Sequence, residues 1–315
     1  LGLFRKENQE IIKKNFKILK RKKMKNVLLV MAALLISVFS FAQDAAEKIN
    51  QANEAMQAKD YANMQAEDYA KAFSLYDEGM KNLGDVQVEP TINFNIGFAA
   101  YKSNNLQGAV EYFDKAIEAG VNISKSHEYK ALAYNEAEDY ANAVASYEQA
   151  IATADDNPEA LVYNAAIAAY RGELFNKAVE LFGKSVENGY RGETAMYYKA
   201  VTLRKQNKDA EYKAALEEGV VKFPGEEKLS SALANIYVSD GNELYKKGVA
   251  ILTAANEKVS SGAITTADDA YVAEVEKAKG EFAKAAEVLE KAKSLDASNK
   301  NAQKLLDACN AVLGS

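Results

Sequence analysis

The sequence predicts an all-α chain: a solenoid of about seven helix–turn–helix hairpins, closed by a C-terminal capping helix. Three observations carry this expectation. One pattern of small and aromatic residues recurs at nearly constant intervals. The prolines fall at about twice that interval, and the composition suits helices that meet through small side chains. A chain of 315 residues would ordinarily make two compact domains, but repeat arrays grow by stacking instead. The hydrophobic fraction of 48% rests largely on Ala and Tyr, with no Trp and three Pro. Disordered chains are poor in aromatic residues, and this one has 18 Tyr and 12 Phe.

The N-terminal segment reads as an address. Met24 and Lys25 precede an apolar run over 27–42 that ends with small residues at Ser40 and Ala42. That is the plan of a secretory signal peptide over 24–42. Cleavage is expected after Ala42, which predicts export to the periplasm or cell envelope. The run is shorter than the ~20 residues of a membrane-spanning helix, so membrane contact is expected only where the signal stays uncleaved. Residues 1–23 read as upstream sequence taken in by a mistaken start, or else as a long basic leader. Residues 1–42 hold ten Lys/Arg against Glu7 and Glu10, whereas the other 273 residues hold 29 basic and 43 acidic side chains. Such an acidic body argues against a nucleic-acid partner, because phosphate neutralisation supplies most of that affinity.

From Gln43 onward the recurring pattern is a small residue, an aromatic or Leu four positions later, and a small residue three beyond that. It appears as Ala72/Tyr76/Gly79, Ala109/Phe113/Ala116, Ala143/Tyr147/Ala150 and Ala178/Phe182/Ser185. It continues less cleanly as Tyr212/Leu216/Gly219, Gly248/Leu252/Ala255 and Ala285/Leu289/Ala292. The first members are 37, 34, 35, 34, 36 and 37 residues apart. An i, i+4, i+7 spacing places all three residues on one helix face, and self-similarity at this period marks a repeat architecture. Short polar turns precede the triplets at Ser103-Asn-Asn, Glu138-Asp, Arg171-Gly-Glu and Lys279-Gly-Glu. A second helix lies upstream of each, as over 92–102 and 160–171. Pro90, Pro158 and Pro224 are 68 and 66 residues apart, at hairpin boundaries, where proline is tolerated.

These residues resemble the tetratricopeptide repeat family, whose units carry a small residue in the first helix and small, aromatic and small positions in the second. Gly97 with Ala109, Phe113 and Ala116 matches that pattern well in unit 90–123. Ala143, Tyr147 and Ala150 in unit 124–157, and Ala178 and Phe182 in unit 158–192, match nearly as well. The resemblance covers roughly residues 44–299 and implies a right-handed superhelix. The first unit, 44–89, is lengthened by an insert, since residues 55–62 nearly repeat in 63–70. Unit 193–226 is degenerate: Tyr212 stands where the family keeps a small residue, which predicts looser packing there. Units 227–260 and 267–298 follow, the last carrying Ala285, Leu289 and Ala292, with a polar loop over 260–267 between them. Residues 299–315 provide the capping helix.

Signals for catalysis are absent from the sequence. His127 is the single histidine and Cys309 the single cysteine, so neither a histidine pair nor an internal disulfide can form. Cys309 reads as a small buried hydrophobe. Arg191-Gly-Glu and Asp240-Gly-Asn read as turns, and no phosphate-loop glycine spacing occurs. Adjacent acids such as Glu217/Glu218 point apart on a helix. No cofactor, metal or catalytic residue is therefore expected, and a hydrolase would have to work with carboxylates alone.

The expectation of binding comes from the first helix of each hairpin, which in the family lines the concave groove. Carrying over those positions gives Phe94, Phe98 and Tyr101 in unit 90–123. Unit 158–192 gives Tyr163, Ile167 and Tyr170 with Arg171, and unit 193–226 gives Tyr197, Val201 and Arg204 with Lys205. Aromatic and Arg side chains are what interface hot spots favour, so the expected partner is a protein or peptide. The competing reading is that these rings merely fill the superhelix. Lys and Asn positions that some family members use for acidic chaperone tails are occupied here by Phe94, Phe98, Glu128 and Leu132, so that activity is not implied. A homo-oligomeric envelope spacer and an accessory that binds a glycan or peptide fragment are the alternative functions.

Overall fold

The computed structural model describes residues 40–57, 64–83, 87–156 and 158–314. The expected leader and nearly all of the signal peptide lie outside these residues, as do residues 58–63 of the expected insert. The expected cleavage point after Ala42 falls within the first described helix, Ser40–Gln57. Among the described residues all regular structure is α-helical, and no helix is long and apolar enough to cross a membrane.

Among the described residues, thirteen helices follow one another as six pairs and a last single helix. They are α1 (Ser40–Gln57) with α2 (Ala66–Lys81), α3 (Ile92–Lys102) with α4 (Leu106–Glu118), and α5 (Ile123–Glu136) with α6 (Tyr140–Ala152). Then come α7 (Glu159–Arg171) with α8 (Phe175–Asn188), α9 (Gly192–Lys205) with α10 (Asp209–Lys222), α11 (Glu227–Ser260) with α12 (Asp269–Leu295), and α13 (Lys300–Leu313). The chain forms two compact units, 1–133 and 134–315, whose division falls within α5.

In the first unit α1 turns Ala45, Ile49, Ala52 and Met56 toward Tyr69, Ala72 and Tyr76 of α2. These spacings are helical, so one face of each helix is buried. Ile92, Ile96 and Ala99 of α3 join that core. The same helix turns Phe94 and Ala100 toward Ala109, Phe113 and Ala116 of α4. Gly97 explains how the two helices come so close: a Cβ there would stand 2.8 Å from the Phe113 ring. In the second unit each helix packs on the next in sequence from α6 to α13. Ala143, Tyr147, Ala150, Ala178 and Phe182 are buried along this stack, as are Ala285, Leu289 and Ala292 farther on.

Four hairpin turns share one design. Asn104, Glu138, Glu173 and Asn207 adopt left-handed backbone, with φ of 63°, 59°, 58° and 58°. The next residue returns its N–H five positions back, from Asn105, Asp139, Leu174 and Lys208 to the carbonyls of Ala100, Tyr134, Ala169 and Leu203. This closes the first helix of each hairpin. The second helix then needs an N-cap, and the four turns differ there. Asn105 Oδ1 accepts from Gly108 N at 3.0 Å and Asp139 Oδ1 from Asn142 N at 3.3 Å, whereas Leu174 supplies no cap and is 37% exposed. Leu174→Asp is therefore expected to stabilise the chain by about 1 kcal/mol. Urea unfolding followed by circular dichroism measures this; an unchanged or lowered midpoint would mean that the half-covered Leu174 side chain matters more than the cap.

The largest departure from the sequence reading lies over 227–298. Two short hairpins are expected there, and one long hairpin is found. α11 runs unbroken for 34 residues and α12 for 27. The expected turns at Asp240-Gly-Asn and Lys279-Gly-Glu are helix interior. Gly241 and Gly248 serve close packing instead: a Cβ would stand 2.7 Å from Leu289 at the first and 2.9 Å from Phe282 at the second. The triplets beginning at Gly248 and Ala285 thus belong to the facing sides of one helix pair. The real reversal is the predicted polar loop, where Gly262 takes φ 74°. α13 covers the end of this hairpin and buries Cys309 completely against Leu289 and Phe282, with the thiol pKa raised by loss of water.

Candidate functional site

Helices α9, α10 and α11 enclose a cleft of about 920 Å³ within the second unit. α9 lines it with Tyr197, Val201 and Arg204, one face of the helix at i, i+4, i+7. α10 adds Asp209, Tyr212 and Lys213, and α11 adds Lys228, Asn235 and Asp240. Tyr212 occupies the position that Ala109, Ala143 and Ala178 hold in other hairpins. It is 8% exposed, and its ring forms part of the cleft wall.

Two cations of this cleft lie over aromatic rings, as Arg171, Arg191 and Lys205 do elsewhere in the chain. The Arg204 guanidinium lies 5.6 Å from the centre of the Tyr212 ring, and Lys228 Nζ lies 5.8 Å from that of Tyr197. The negative face of each ring attracts the cation without neutralising it. Among the described residues neither cation has a carboxylate partner within ion-pair distance. Lys213 differs: it pairs with Asp240 at 2.7 Å and also lies 5.1 Å from the Tyr237 ring centre. Three cations and two carboxylates, Asp209 and Asp240, thus line the cleft, leaving it positive on an acidic body.

The other groove positions read from the sequence are distributed differently. Phe94 is 3% exposed, tilted against Phe113 and set edge-on to Tyr129. Tyr163 is 6% exposed, held between Phe182 and Tyr190 with Arg191 above it. Neither is available to a ligand, because the rings of neighbouring helices close over them. Phe98 and Tyr101 are half-buried and both pack on Tyr129. Tyr170 is half-buried between Tyr198 and the Lys205 ammonium. Arg171 is exposed, lies over Tyr140, and donates a long hydrogen bond of 3.5 Å to Asn135. Of the expected groove, only Tyr197, Val201 and Arg204 line the cleft; Lys205 is their neighbour in sequence but faces Tyr170 and Phe175.

Tyr212, Lys213, Lys228 and Asp240 were not expected as site residues. Tyr212 carried a signal, as an outsized residue at a small position, but that signal predicted loose packing rather than a wall. Lys228 and Asp240 lie on α11, whose reading as a short hairpin placed a turn at Asp240. Among the described residues, no three His, Cys, Asp or Glu side chains gather as a metal site. His127 is half-buried beside Lys130, and burial and that ammonium both lower its pKa.

No protein-family model matches the chain. Over 60 residues it is 33% identical to an NADPH oxidase activator of Dictyostelium discoideum, a match covering 19% of this chain and 10% of that protein. Among solved structures it is similar to a TPR repeats protein from Bacteroides fragilis, at 21% identity over 85% of this chain and 98% of that one, with a TM-score of 0.35. It is also similar to a tetratricopeptide repeat protein from Parabacteroides merdae, at 15% identity over 85% and 99%, with a TM-score of 0.42. At these levels the helical-repeat architecture rests on the chain's own repeats, turns and seams.

Proposed function

We propose that this chain is a non-enzymatic interaction scaffold of the bacterial cell envelope that holds a peptide or protein segment in the cleft between α9, α10 and α11. The observation that carries the reading is the convergence there of three groove residues from one helix, Tyr197, Val201 and Arg204, with Lys228; among the described residues neither Arg204 nor Lys228 has a carboxylate within ion-pair distance. A rigid array presents these side chains already ordered, so a partner loses less entropy on binding. Export rests on the basic, apolar and small-residue pattern over 24–42.

The test compares partners captured from envelope extract by the chain and by its Tyr197→Ala/Arg204→Glu variant, with equal helicity checked first. The expected result is a partner cross-linked to the parent and lost from the variant, and a mature N-terminus at Gln43 in the envelope fraction. Identical capture by both proteins would remove the cleft from the reading. Self-association that rises with concentration, with no foreign partner, would replace it with the spacer.

A further inference from the structure

We infer that Asn188 is a site of spontaneous covalent modification: in the folded chain its side-chain amide cyclises onto the backbone nitrogen of Gly189 and hydrolyses to isoaspartate. Asn188-Gly189 is the one Asn-Gly pair in the sequence. Glycine matters because no Cβ beside the attacking nitrogen crowds its approach. Both residues are exposed at the C-terminal end of α8, where Gly189 takes φ 81°. The turn itself prepares the reaction. Tyr190 N–H donates to Asn188 Oδ1 at 2.9 Å, which makes an Asx turn. That turn closes a ring of bonds containing both the Asn188 amide carbon and the Gly189 nitrogen. The same N–H polarises the side-chain carbonyl and stabilises the oxyanion that forms when the nitrogen attacks it. The attacking group is also unengaged. Among the described residues the Gly189 N–H has no hydrogen-bond partner, whereas the residues that end α3, α4 and α6 return theirs to their own helices. Lys222 donates to the Val186 carbonyl at 3.2 Å, which brings a positive charge to the same helix end.

The step needs only water and hydroxide. Hydroxide takes the Gly189 amide proton, a bond forms between that nitrogen and the Asn188 amide carbon, and the carbon–nitrogen bond of the side chain breaks. The leaving nitrogen takes a proton from water and departs as ammonia, which restores the hydroxide. Water then opens the five-membered imide at either carbonyl, giving aspartate or isoaspartate. Isoaspartate routes the backbone through the former side chain and lengthens it by one methylene just ahead of Gly189, Tyr190 and Arg191. Tyr190 packs on the Tyr163 ring at 6.0 Å, and the Arg191 guanidinium lies 5.2 Å from the centre of the same ring. The longer backbone therefore loosens this clasp on α7. The new carboxylate also stands at a helix C-terminus, where the dipole opposes it.

The experiment incubates the full chain, folded and in urea, in mildly alkaline buffer and maps mass changes peptide by peptide. An isoaspartate-specific carboxyl methyltransferase is the reagent that reports the product. In the folded chain the peptide holding Asn188 is expected to gain one mass unit before any other, at a rate proportional to hydroxide. Gly189→Ala should slow the gain roughly tenfold, because its Cβ crowds the attacking nitrogen. That Cβ meets no other atom within 4 Å, and circular dichroism confirms that the variant is folded. Asn188→Gln should stop the reaction, since glutamine would have to close a larger ring. Hydrogen exchange over α7 should be faster in the aged chain than in the fresh chain or in Asn188→Asp, which adds the charge without the methylene. If another asparagine converts first, or Asn188 converts only in urea, the folded turn protects the amide and the inference is overturned. Conversion with unchanged exchange keeps the modification site and overturns the loosening of α7.

Discussion

Phe182→Ala is expected to cost about 3–5 kcal/mol, the range for removing a fully enclosed aromatic side chain. Phe182 is completely buried on α8 and serves two neighbours. Its ring stacks on Tyr198 of α9, with centroids 5.6 Å apart and planes 15° apart, and meets Tyr163 of α7 edge-on at 6.1 Å. Truncation would leave a cavity walled by two large rings that cannot collapse into it without leaving their own contacts. Those rings are fixed from outside as well, since Tyr170 packs on Tyr198 and Arg191 covers Tyr163.

Because helices in a repeat array contact mainly their neighbours, the loss should appear first as local opening. Hydrogen exchange should accelerate over α7–α9 before the array as a whole unfolds, and the urea transition should broaden or split. Tyr197→Ala is the comparison, because Tyr197 is only half-buried and lines the cleft. It should cost much less stability. A loss below about 1 kcal/mol for Phe182→Ala would mean that the array repacks around the gap, contrary to its stacked geometry.

The Phe182 position also shows what the sequence could reveal. Phe113 and Phe182 each stack on a tyrosine sixteen residues later, Tyr129 and Tyr198, with interplanar angles of 16° and 15°. Close helix contact requires small and aromatic residues at fixed spacing, so the seam and its period are written locally and can be read. The turns at Asn104, Glu138 and Glu173 are legible for the same reason, since a left-handed residue is a short-range requirement, whereas those expected at Asp240-Gly-Asn and Lys279-Gly-Glu are helix interior. Exposure is different. Phe94 and Tyr197 both belong to the face assigned to the groove, yet Phe94 is closed over by Tyr129 whereas Tyr197 opens on the cleft. What decides between them is the size and direction of side chains on other helices. A periodicity on one helix carries no record of that. The cleft was half legible: its α9 face was identified, and its α10 and α11 walls were not.

Glycine was the least legible residue, and the long hairpin gives a test in which two substitutions of the same kind should act in opposite directions. Gly248→Ala is expected to destabilise the chain by about 1–3 kcal/mol, the usual cost of overpacking. A Cβ there would stand 2.9 Å from the ring of Phe282, which is 1% exposed and held edge-on by Tyr245. The ring has no free direction in which to retreat, so α11 and α12 must separate. Gly280→Ala is expected to stabilise by about 0.5–1 kcal/mol, because alanine restricts the unfolded chain and favours helix. Gly280 is exposed inside α12, with no atom within 4 Å of the new Cβ. If Lys279-Gly-Glu were instead the turn inside a short hairpin over 267–298, a helix-favouring residue there would bring no such gain. Chemical denaturation of the two variants beside the parent decides the matter. Opposite shifts support one continuous hairpin; a loss at Gly280 would restore the two short hairpins that the sequence period suggests.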